Sequence, residues 1–259
     1  MATEVPLTGG RLTSGVVRVA DTVRRPAPPA GQFTAALLDH LHARGFTGTP
    51  RHLGRDDQGR EILSFLPGDV PAKWRRHTDG QVTAAARLLR GFHDASRDLA
   101  APAGFAREFF SGYEEDDAVI CHHDPGPNNT VFRAGVPVAF IDVDFAAPGR
   151  RIEDVAYLAW SWCISSRPDR GSPAEQARQV RELAAAYGLT AAEHAALPDA
   201  IRDRMRRNVE FWRARPGDRS AEIVAWTLGE RAFLDAHATA FRPDQGYCAN
   251  LGARSAPQP

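Results

Sequence analysis

The segment Cys121–Thr130 reads Cys-His-His-Asp-Pro-Gly-Pro-Asn-Asn-Thr and contains the most informative pattern of the sequence, His-x-Asp-x4-Asn. An apolar run, Ala118–Cys121, precedes it and predicts a short strand that ends at the pattern. Proline and glycine follow Asp124 at once, so this segment cannot continue as a helix. The sequence therefore predicts a rigid loop at the end of a strand, with a carboxylate and a carboxamide held on it.

A second stretch, Phe140–Asp144, reads Phe-Ile-Asp-Val-Asp and follows the loop closely. The segments Thr130–Arg133 and Val136–Ile141 flank Ala134-Gly135 and predict a β-hairpin. A hairpin returns the chain to its starting edge, so we expect Asp142 to lie beside the loop.

Two carboxylates and a carboxamide would then lie together where the end of the hairpin meets the Asp124 loop, a place called the mouth of the site below. Such a set of groups suits phosphoryl transfer. That reaction needs positioning and charge neutralisation more than covalent chemistry. One carboxylate can orient the attacking hydroxyl and take its proton. Another carboxylate and an amide oxygen can hold Mg²⁺, which prefers hard oxygen ligands. The competing interpretation is a Pro/Gly loop whose Asp and Asn only make turns.

The first quarter of the chain is predicted to be rich in strands. Short β-rich runs cover Ser14–Val19 and Asp21–Arg25, and two further strands flank the turn Asp56–Gly59. A helix is predicted over Gln32–Ala43 from the spacing of its apolar residues. Pro67-Gly68 then marks a boundary, which predicts lobes at residues 1–66 and 67–259.

The remainder of the chain is predicted to be mainly helical, and this gives an α+β fold with a small β-rich lobe and a larger helical lobe. The predicted helices cover Asp79–Ala95, Ile152–Ile164, Pro173–Tyr187, Ala191–Arg213 with a break at Pro198, and Arg219–Ala240. Trp160 and Trp162 fall at helical spacing and are expected in the core.

Composition excludes several classes of protein. In 259 residues, 43% are hydrophobic and 25% charged, as in globular proteins. The 32 basic residues balance 32 acidic ones, so no overall field favours nucleic acid or an anionic membrane. No apolar run or leader-like start indicates a membrane or secreted protein. Three well-separated cysteines suggest free thiols in the cytoplasm.

The motif resembles that of the aminoglycoside phosphotransferase and choline kinase-like family, including a bacterial subgroup of trifolitoxin-immunity-like proteins. The resemblance implies a bilobal protein-kinase-like fold. It makes Asp124 the catalytic base. It also places His122, the motif histidine, in the catalytic loop, where this histidine mostly braces the loop. It makes Asn129 and Asp142 ligands of Mg²⁺. Asp144 is expected to be a second metal ligand or a substrate contact. The alternative is that Asp144 is only a solvated residue of the loop.

Further residues fit the resemblance more loosely. Asp154 matches a family aspartate that supports the catalytic loop. The turn at Gly9 and Gly10 resembles the glycine-containing phosphate turn, although a simple hairpin turn is an alternative. Arg24 aligns with the strand lysine that steadies the nucleotide phosphates, with Arg25 one residue away as the alternative.

The nucleotide lobe also departs from the family pattern. The segment Leu63–Gly68, with Ser64 and Leu66, resembles the hinge that reads adenine. The sequence has one lysine, Lys73, so arginine replaces the family lysine. The helix glutamate that normally pairs with that lysine is missing, and Thr34 stands about where it would lie.

The predicted function is a Mg²⁺-dependent transfer of the γ-phosphate of ATP or GTP to a hydroxyl of a small molecule. An antibiotic, a sugar-like metabolite or an amino alcohol would fit as the acceptor. The alternative is a non-catalytic kinase-like protein that confers immunity or binds a ligand, which the altered lysine and missing glutamate favour. A metal-dependent phosphohydrolase is disfavoured, because Pro125 excludes the helix that would carry a His-Asp doublet.

Overall fold

A computed structural model describes residues 3–7, 14–28, 31–71, 75–100, 118–215 and 217–242. None of the helices in these ranges is long and apolar enough to cross a membrane. The structure has a β-rich lobe formed by the first part of the chain and a larger helical lobe formed by the rest. This confirms the predicted α+β fold, while the exact division at residue 66 remains a prediction.

The smaller lobe contains an antiparallel sheet with one helix. The strands are β1 (Glu4–Pro6), β2 (Val17–Val19), β3 (Thr22–Arg25), β4 (His52–Arg55) and β5 (Glu61–Ser64), in the spatial order β1-β2-β3-β5-β4. The helix α1 spans Gly31–Ala43 and buries Phe33, Leu37, Leu38 and Leu41. Their spacing places them on one face of the helix, which explains why the helix was predictable.

The larger lobe is a bundle of helices around a single apolar core. Its helices are α2 (Asp79–Ser96), α3 (Arg151–Cys163), α4 (Pro173–Tyr187), α5 (Ala191–Arg213), α6 (Asp218–Ala236) and α7 (Ala238–Phe241). Helices α2, α4 and α5 each begin with a capping box, in which a Thr or Ser and a Gln or Glu satisfy each other's backbone N–H groups. Trp160 and Trp162 are buried in this core, as predicted.

Two short sheets carry the segments that matter for function. Strand β6 (Ala118–Cys121) pairs antiparallel with β9 (Ala147–Arg150), and β7 (Thr130–Arg133) forms the predicted hairpin with β8 (Val136–Phe140). Strand β9 was not predicted, because its Pro148-Gly149 sequence reads as a turn. The β6–β9 pair fixes both ends of the segment that runs from the loop through the hairpin.

Pro198 does not break α5, so that part of the prediction was wrong. The helix is continuous from Ala191 to Arg213. Leu197, Ile201 and Met205 are each no more than 1% exposed. Their packing outweighs the loss of one backbone hydrogen bond at the proline. The helix predicted over Arg219–Ala240 is instead two, α6 and α7, separated at His237.

A second apolar core contains residues of both lobes, and the backbone passes close to β7 where the chain crosses from one lobe to the other. Phe33 and Leu63 of the smaller lobe pack in one cluster with Phe92 and Ile120 of the larger lobe. Where the chain crosses between lobes, Asp69 bridges to Phe132 of β7. Gly68 is needed there, because a Cβ atom on it would lie 2.3 Å from the Phe132 carbonyl oxygen.

Candidate active site

The loop after β6 brings the predicted catalytic residues into direct contact. Pro127–Asn129 forms a 3₁₀ turn that aims Asn129 back at Asp124. Asn129 Nδ2 donates to Asp124 Oδ2 at 2.8 Å and to the Asp124 carbonyl oxygen at 3.0 Å. The hydroxyl of Tyr157, on α3, donates to the other carboxylate oxygen, Oδ1. Each oxygen of Asp124 therefore accepts one hydrogen bond and keeps one further lone pair for a ligand.

The hairpin returns Asp142 to this loop, as the sequence predicts. The Ile141 N–H donates to the Asn129 carbonyl oxygen at 2.9 Å. Asp142 has φ 62° and ψ 60°, a left-handed conformation that is uncommon for a residue with a side chain. The chain then makes a 3₁₀ turn at Val143–Phe145, which carries Asp144. Such local conformations recur at functional sites, where the surrounding structure holds them.

His122 joins the catalytic loop to the Asp142 turn. Its Nε2 lies 3.1 Å from the Ile141 carbonyl oxygen, and its Nδ1 accepts from the Asp124 N–H at 3.3 Å. These contacts require the neutral ring with its proton on Nε2. Burial lowers the pKa of His122, although Asp154 and Asp124 oppose this. With both ring nitrogens in use, the geometry supports bracing of the loop rather than proton transfer.

Asp154, on α3, holds the loop after β6 in place. The family resemblance predicts a supporting aspartate at this position. Its buried carboxylate accepts the N–H groups of His122 and His123 at 2.6 and 2.7 Å. His93 Nε2 lies 3.0 Å from it, and His93 Nδ1 contacts the Tyr187 hydroxyl at 2.6 Å. Burial would raise the pKa of Asp154, but the bond with His93 and three nearby imidazoles lower it to about 2.

His123 adopts a left-handed conformation, with φ 64°. This lets two successive N–H groups reach Asp154 and leaves its carbonyl oxygen to accept from Arg204 of α5 at 2.9 Å. The side chain is 1% exposed, and burial lowers its pKa to about 3. The sequence left His123 open between a substrate contact and an exposed side chain. Its burial fits neither.

The carboxylates of Asp142 and Asp144 lie close enough to influence each other. Partial removal from water and the neighbouring Asp144 together raise the pKa of Asp142 to about 7, and Arg25 opposes both effects. The Asp142 side chain is half exposed, so it remains accessible to a ligand. The carboxylates of Asp142 and Asp144 and the amide oxygen of Asn129 are hard oxygen donors, the kind that Mg²⁺ prefers.

Arg25, and not Arg24, faces these carboxylates. Neighbouring residues on a strand point to opposite sides of the sheet. Arg25 Nη1 and Nη2 donate to the two oxygens of Asp144 at 3.1 and 2.6 Å, and Nη1 lies 3.5 Å from Asp142 Oδ1. Arg24 pairs instead with Asp56 at 3.5 Å. Of the two arginines that the sequence offers for the phosphate contact, Arg25, the alternative, is the one that contacts these carboxylates.

The positions of the remaining predicted nucleotide residues are given by the structure only in part. Ser64 ends β5, and its hydroxyl accepts from the Arg51 N–H at 2.9 Å. Leu66 is half-buried directly before the crossing at Pro67-Gly68. Gly9 and Gly10 lie outside the described residues. Thr34 is buried in α1 and donates to the Gly31 carbonyl oxygen at 3.2 Å.

Sequence reasoning missed three residues of this site. Tyr157 touches the Asp124 carboxylate, Arg204 lies 4.5 Å from the centre of the Tyr157 ring, and Glu61 binds Arg25. Each lies far along the chain from its partner, and none belongs to a short motif. The acidic residue opposite Arg25 becomes visible only when the register of β3 and β5 is known.

The cysteines near the site are inert. Cys121 and Cys163 are free thiols with no more than 1% exposure. Burial raises the pKa of both thiols well above the ordinary value. A buried protonated thiol behaves as a small apolar side chain, as the sequence suggested for Cys121. Cys248 lies outside the described residues.

Comparisons with known proteins show which family this chain belongs to. Residues 111–171 match the family described as "Phosphotransferase enzyme family". The trifolitoxin immunity protein of Rhizobium leguminosarum bv. trifolii is 34% identical over 213 residues, which cover 78% of this chain and 80% of that protein.

Solved structures share the fold at low sequence identity. An amicoumacin kinase in complex with AMP-PNP, Ca²⁺ and Ami has a TM-score of 0.66 and 12% identity over 93% of this chain and 90% of that one. A microcompartment-associated aminopropanol kinase has a TM-score of 0.64 and 14% identity over 93% and 94%. The motif, the fold and the relative together place this chain in the phosphotransferase enzyme family, whose members include aminoglycoside phosphotransferases and choline kinase-like proteins.

Proposed function

We propose that this protein is a Mg²⁺-dependent phosphotransferase that moves the γ-phosphate of ATP or GTP to a hydroxyl of a small molecule. One observation carries the proposal: the loop and hairpin bring Asp124, Asn129 and Asp142 to one mouth, opposite the guanidinium of Arg25. A protein that only binds a ligand has no physical need for all three.

Asp124 is the proposed catalytic base. Asn129 and Tyr157 fix the plane of its carboxylate, and each oxygen retains a lone pair for the acceptor hydroxyl. As the hydroxyl oxygen bonds to the γ-phosphorus, Asp124 takes its proton. The bond between the γ-phosphorus and the β–γ bridging oxygen breaks, and the nucleoside diphosphate leaves.

Asn129, Asp142 and Asp144 are the proposed metal ligands. Mg²⁺ at these oxygens would neutralise charge on the nucleotide phosphates. Arg25 is the proposed cation of the smaller lobe, because its terminal nitrogens already face the same carboxylates. Gly9 and Gly10, with Ser64 and Leu66 at the hinge, remain the proposed contacts to the rest of the nucleotide.

The proposed acceptor is a hydroxylated small molecule of the antibiotic or amino-alcohol kind. Two structures of the same fold are described as an amicoumacin kinase and an aminopropanol kinase, and both names specify small molecules. The cytoplasm is the proposed location, since it would keep the two described thiols reduced.

A second candidate is immunity by binding without catalysis. The relative at 34% identity is named an immunity protein, and arginine here replaces the usual lysine. Under this candidate the ligand would be sequestered and no phosphate transferred. The intact set of Asp124, Asn129 and Asp142 favours the kinase.

Thermal unfolding with nucleotide tests the proposed site. Wild type and Asp142→Asn are heated with ATP or GTP, with and without Mg²⁺. A ligand at about 100 times its Kd adds roughly 2.7 kcal/mol to the free energy of unfolding, which raises Tm by about 5–11 °C at this size, since each 1 kcal/mol corresponds to about 2–4 °C. We expect a Mg²⁺-dependent increase that Asp142→Asn loses. No increase in well-folded wild type with either nucleotide would reject the proposal.

A further inference from the structure

An ion pair is buried within the sheet of the smaller lobe. Arg25 and Glu61 stand directly opposite each other on β3 and β5. Arg25 Nε donates to Glu61 Oε2 at 2.7 Å, and the two side chains are 8% and 3% exposed. A buried pair of charges costs desolvation energy that close geometry only partly offsets. Such a pair at a proposed active site suggests a purpose other than stability.

The pair determines which way the guanidinium points. The guanidinium is planar, so fixing Nε fixes the direction of both terminal nitrogens. Glu61 takes the Nε edge, and this leaves Nη1 and Nη2 directed at Asp144 and Asp142. The edge of Arg25 that carries Nη1 and Nη2 therefore faces the mouth where the proposed metal and phosphates would lie, and both nitrogens are bonded there to Asp144.

Helix α1 offers no partner for this arginine. Its one acidic residue, Asp39, has a side chain that is 65% exposed and lies 3.7 Å from His52. Thr34, which stands about where a helix glutamate was expected, is buried and donates to the backbone of its own helix. The acid that holds Arg25 comes from the neighbouring strand instead.

We propose that Glu61 is the positioning residue for Arg25 in nucleotide binding, so that a strand-to-strand ion pair replaces the missing strand-to-helix pair. This inference rests on the proposed function, in which Arg25 contacts the nucleotide phosphates. The backbone ladder between β3 and β5 fixes the pair before any ligand binds. Formation of the pair does not depend on where α1 lies.

A double-mutant cycle on nucleotide affinity tests this. The Kd of Mg²⁺–ATP and Mg²⁺–GTP is measured by calorimetry for wild type, Glu61→Gln, Arg25→Gln and the double variant. Losing a charge-assisted orienting bond should raise Kd roughly tenfold or more in Glu61→Gln. The same change in the Arg25→Gln background should alter Kd by less than about twofold, because Glu61 acts through Arg25. A purely structural role would weaken binding equally in both backgrounds.

Two additions keep the test decisive. If Glu61→Gln does not fold, Glu61→Asp takes its place. This variant retains the charge, so it should fold, but its side chain is one methylene shorter, so it should still raise Kd severalfold. Arg24→Gln, one residue along the same strand, is the matched control and should leave Kd unchanged. If wild type binds nucleotide and neither Glu61→Gln nor Glu61→Asp changes the Kd, this inference is overturned and the proposed function is not. No binding by wild type would overturn the proposed function and this inference with it.

Discussion

Arg25 Nη2 lies 2.6 Å from Asp144 Oδ1 and joins β3 of the smaller lobe to the turn after β8, 119 residues further along the chain. The second terminal nitrogen reaches the other oxygen of the same carboxylate. Paired contacts of this kind combine strength with a fixed orientation. The cation thus balances the closely spaced acidic groups of Asp142 and Asp144.

Arg25, and not Arg24, should strengthen nucleotide binding. We expect Arg25→Gln to show a clearly smaller Mg²⁺–nucleotide increase in Tm than wild type, because the charge facing the two carboxylates is removed. Arg24→Gln should keep the increase, since Arg24 pairs with Asp56 away from the mouth. Thermal unfolding of both variants with saturating nucleotide measures this. The opposite pattern would show that the strand register at the site is wrong.

Asp154→Asn should destabilise the fold strongly. The buried carboxylate accepts two backbone N–H groups and faces the His93 ring, and an amide would direct its own donors at one of these partners. We expect a loss of about 3 kcal/mol or more in the free energy of unfolding, measured in urea.

Asp169→Asn is the matched control for that change. Asp169 is exposed and pairs with Arg167 at the surface, so its urea midpoint should stay unchanged. Equal midpoints for Asp154→Asn and wild type would mean that the loop does not depend on this carboxylate.

His77 should make stability depend on pH. Its ring packs against Phe132 and Trp162, and burial, together with Arg170 and Arg75, lowers its pKa to about 4. The unfolded chain, with an ordinary value of about 6.5, binds the extra proton first. Stability therefore falls as pH drops from about 6.5 to 4, by about 2 kcal/mol between pH 7 and pH 5 for this residue.

The variant His77→Phe isolates this contribution. It keeps an aromatic ring but cannot take up a proton. Urea unfolding at pH 7 and pH 5 should show a smaller decrease for the variant than for wild type. Parallel decreases in the two proteins would show that His77 is not held neutral by burial.

The loop that carries Asp124 and Asn129 was predictable because the residues that fix its conformation are local. Proline and glycine fix the backbone after Asp124, and a two-residue turn at Ala134-Gly135 sets the hairpin that returns Asp142. The apolar spacing of α1 likewise reports a buried face. In each case the deciding residues lie within a few positions of one another.

The features that could not be predicted from the sequence depend on contacts between distant segments. Which of Arg24 and Arg25 faces the mouth depends on a register that a shift of one residue reverses. Glu61 becomes a partner only through the pairing of β3 with β5, and Tyr157 only through the docking of α3 beneath the loop. Tertiary packing, rather than local preference, also carries α5 through Pro198.

Transfer of a labelled γ-phosphate measures the proposed reaction itself. Wild type and Asp124→Asn are incubated with γ-labelled ATP or GTP, Mg²⁺ and a panel of hydroxylated antibiotics and amino alcohols, with water as a background acceptor. The substitution keeps the size of the side chain but removes the proposed base. We predict that wild type labels at least one acceptor and that Asp124→Asn is slower by roughly 10²-fold or more, while nucleotide affinity is retained. Wild type that binds Mg²⁺–nucleotide yet transfers phosphate no faster than Asp124→Asn would contradict the account and favour immunity by binding.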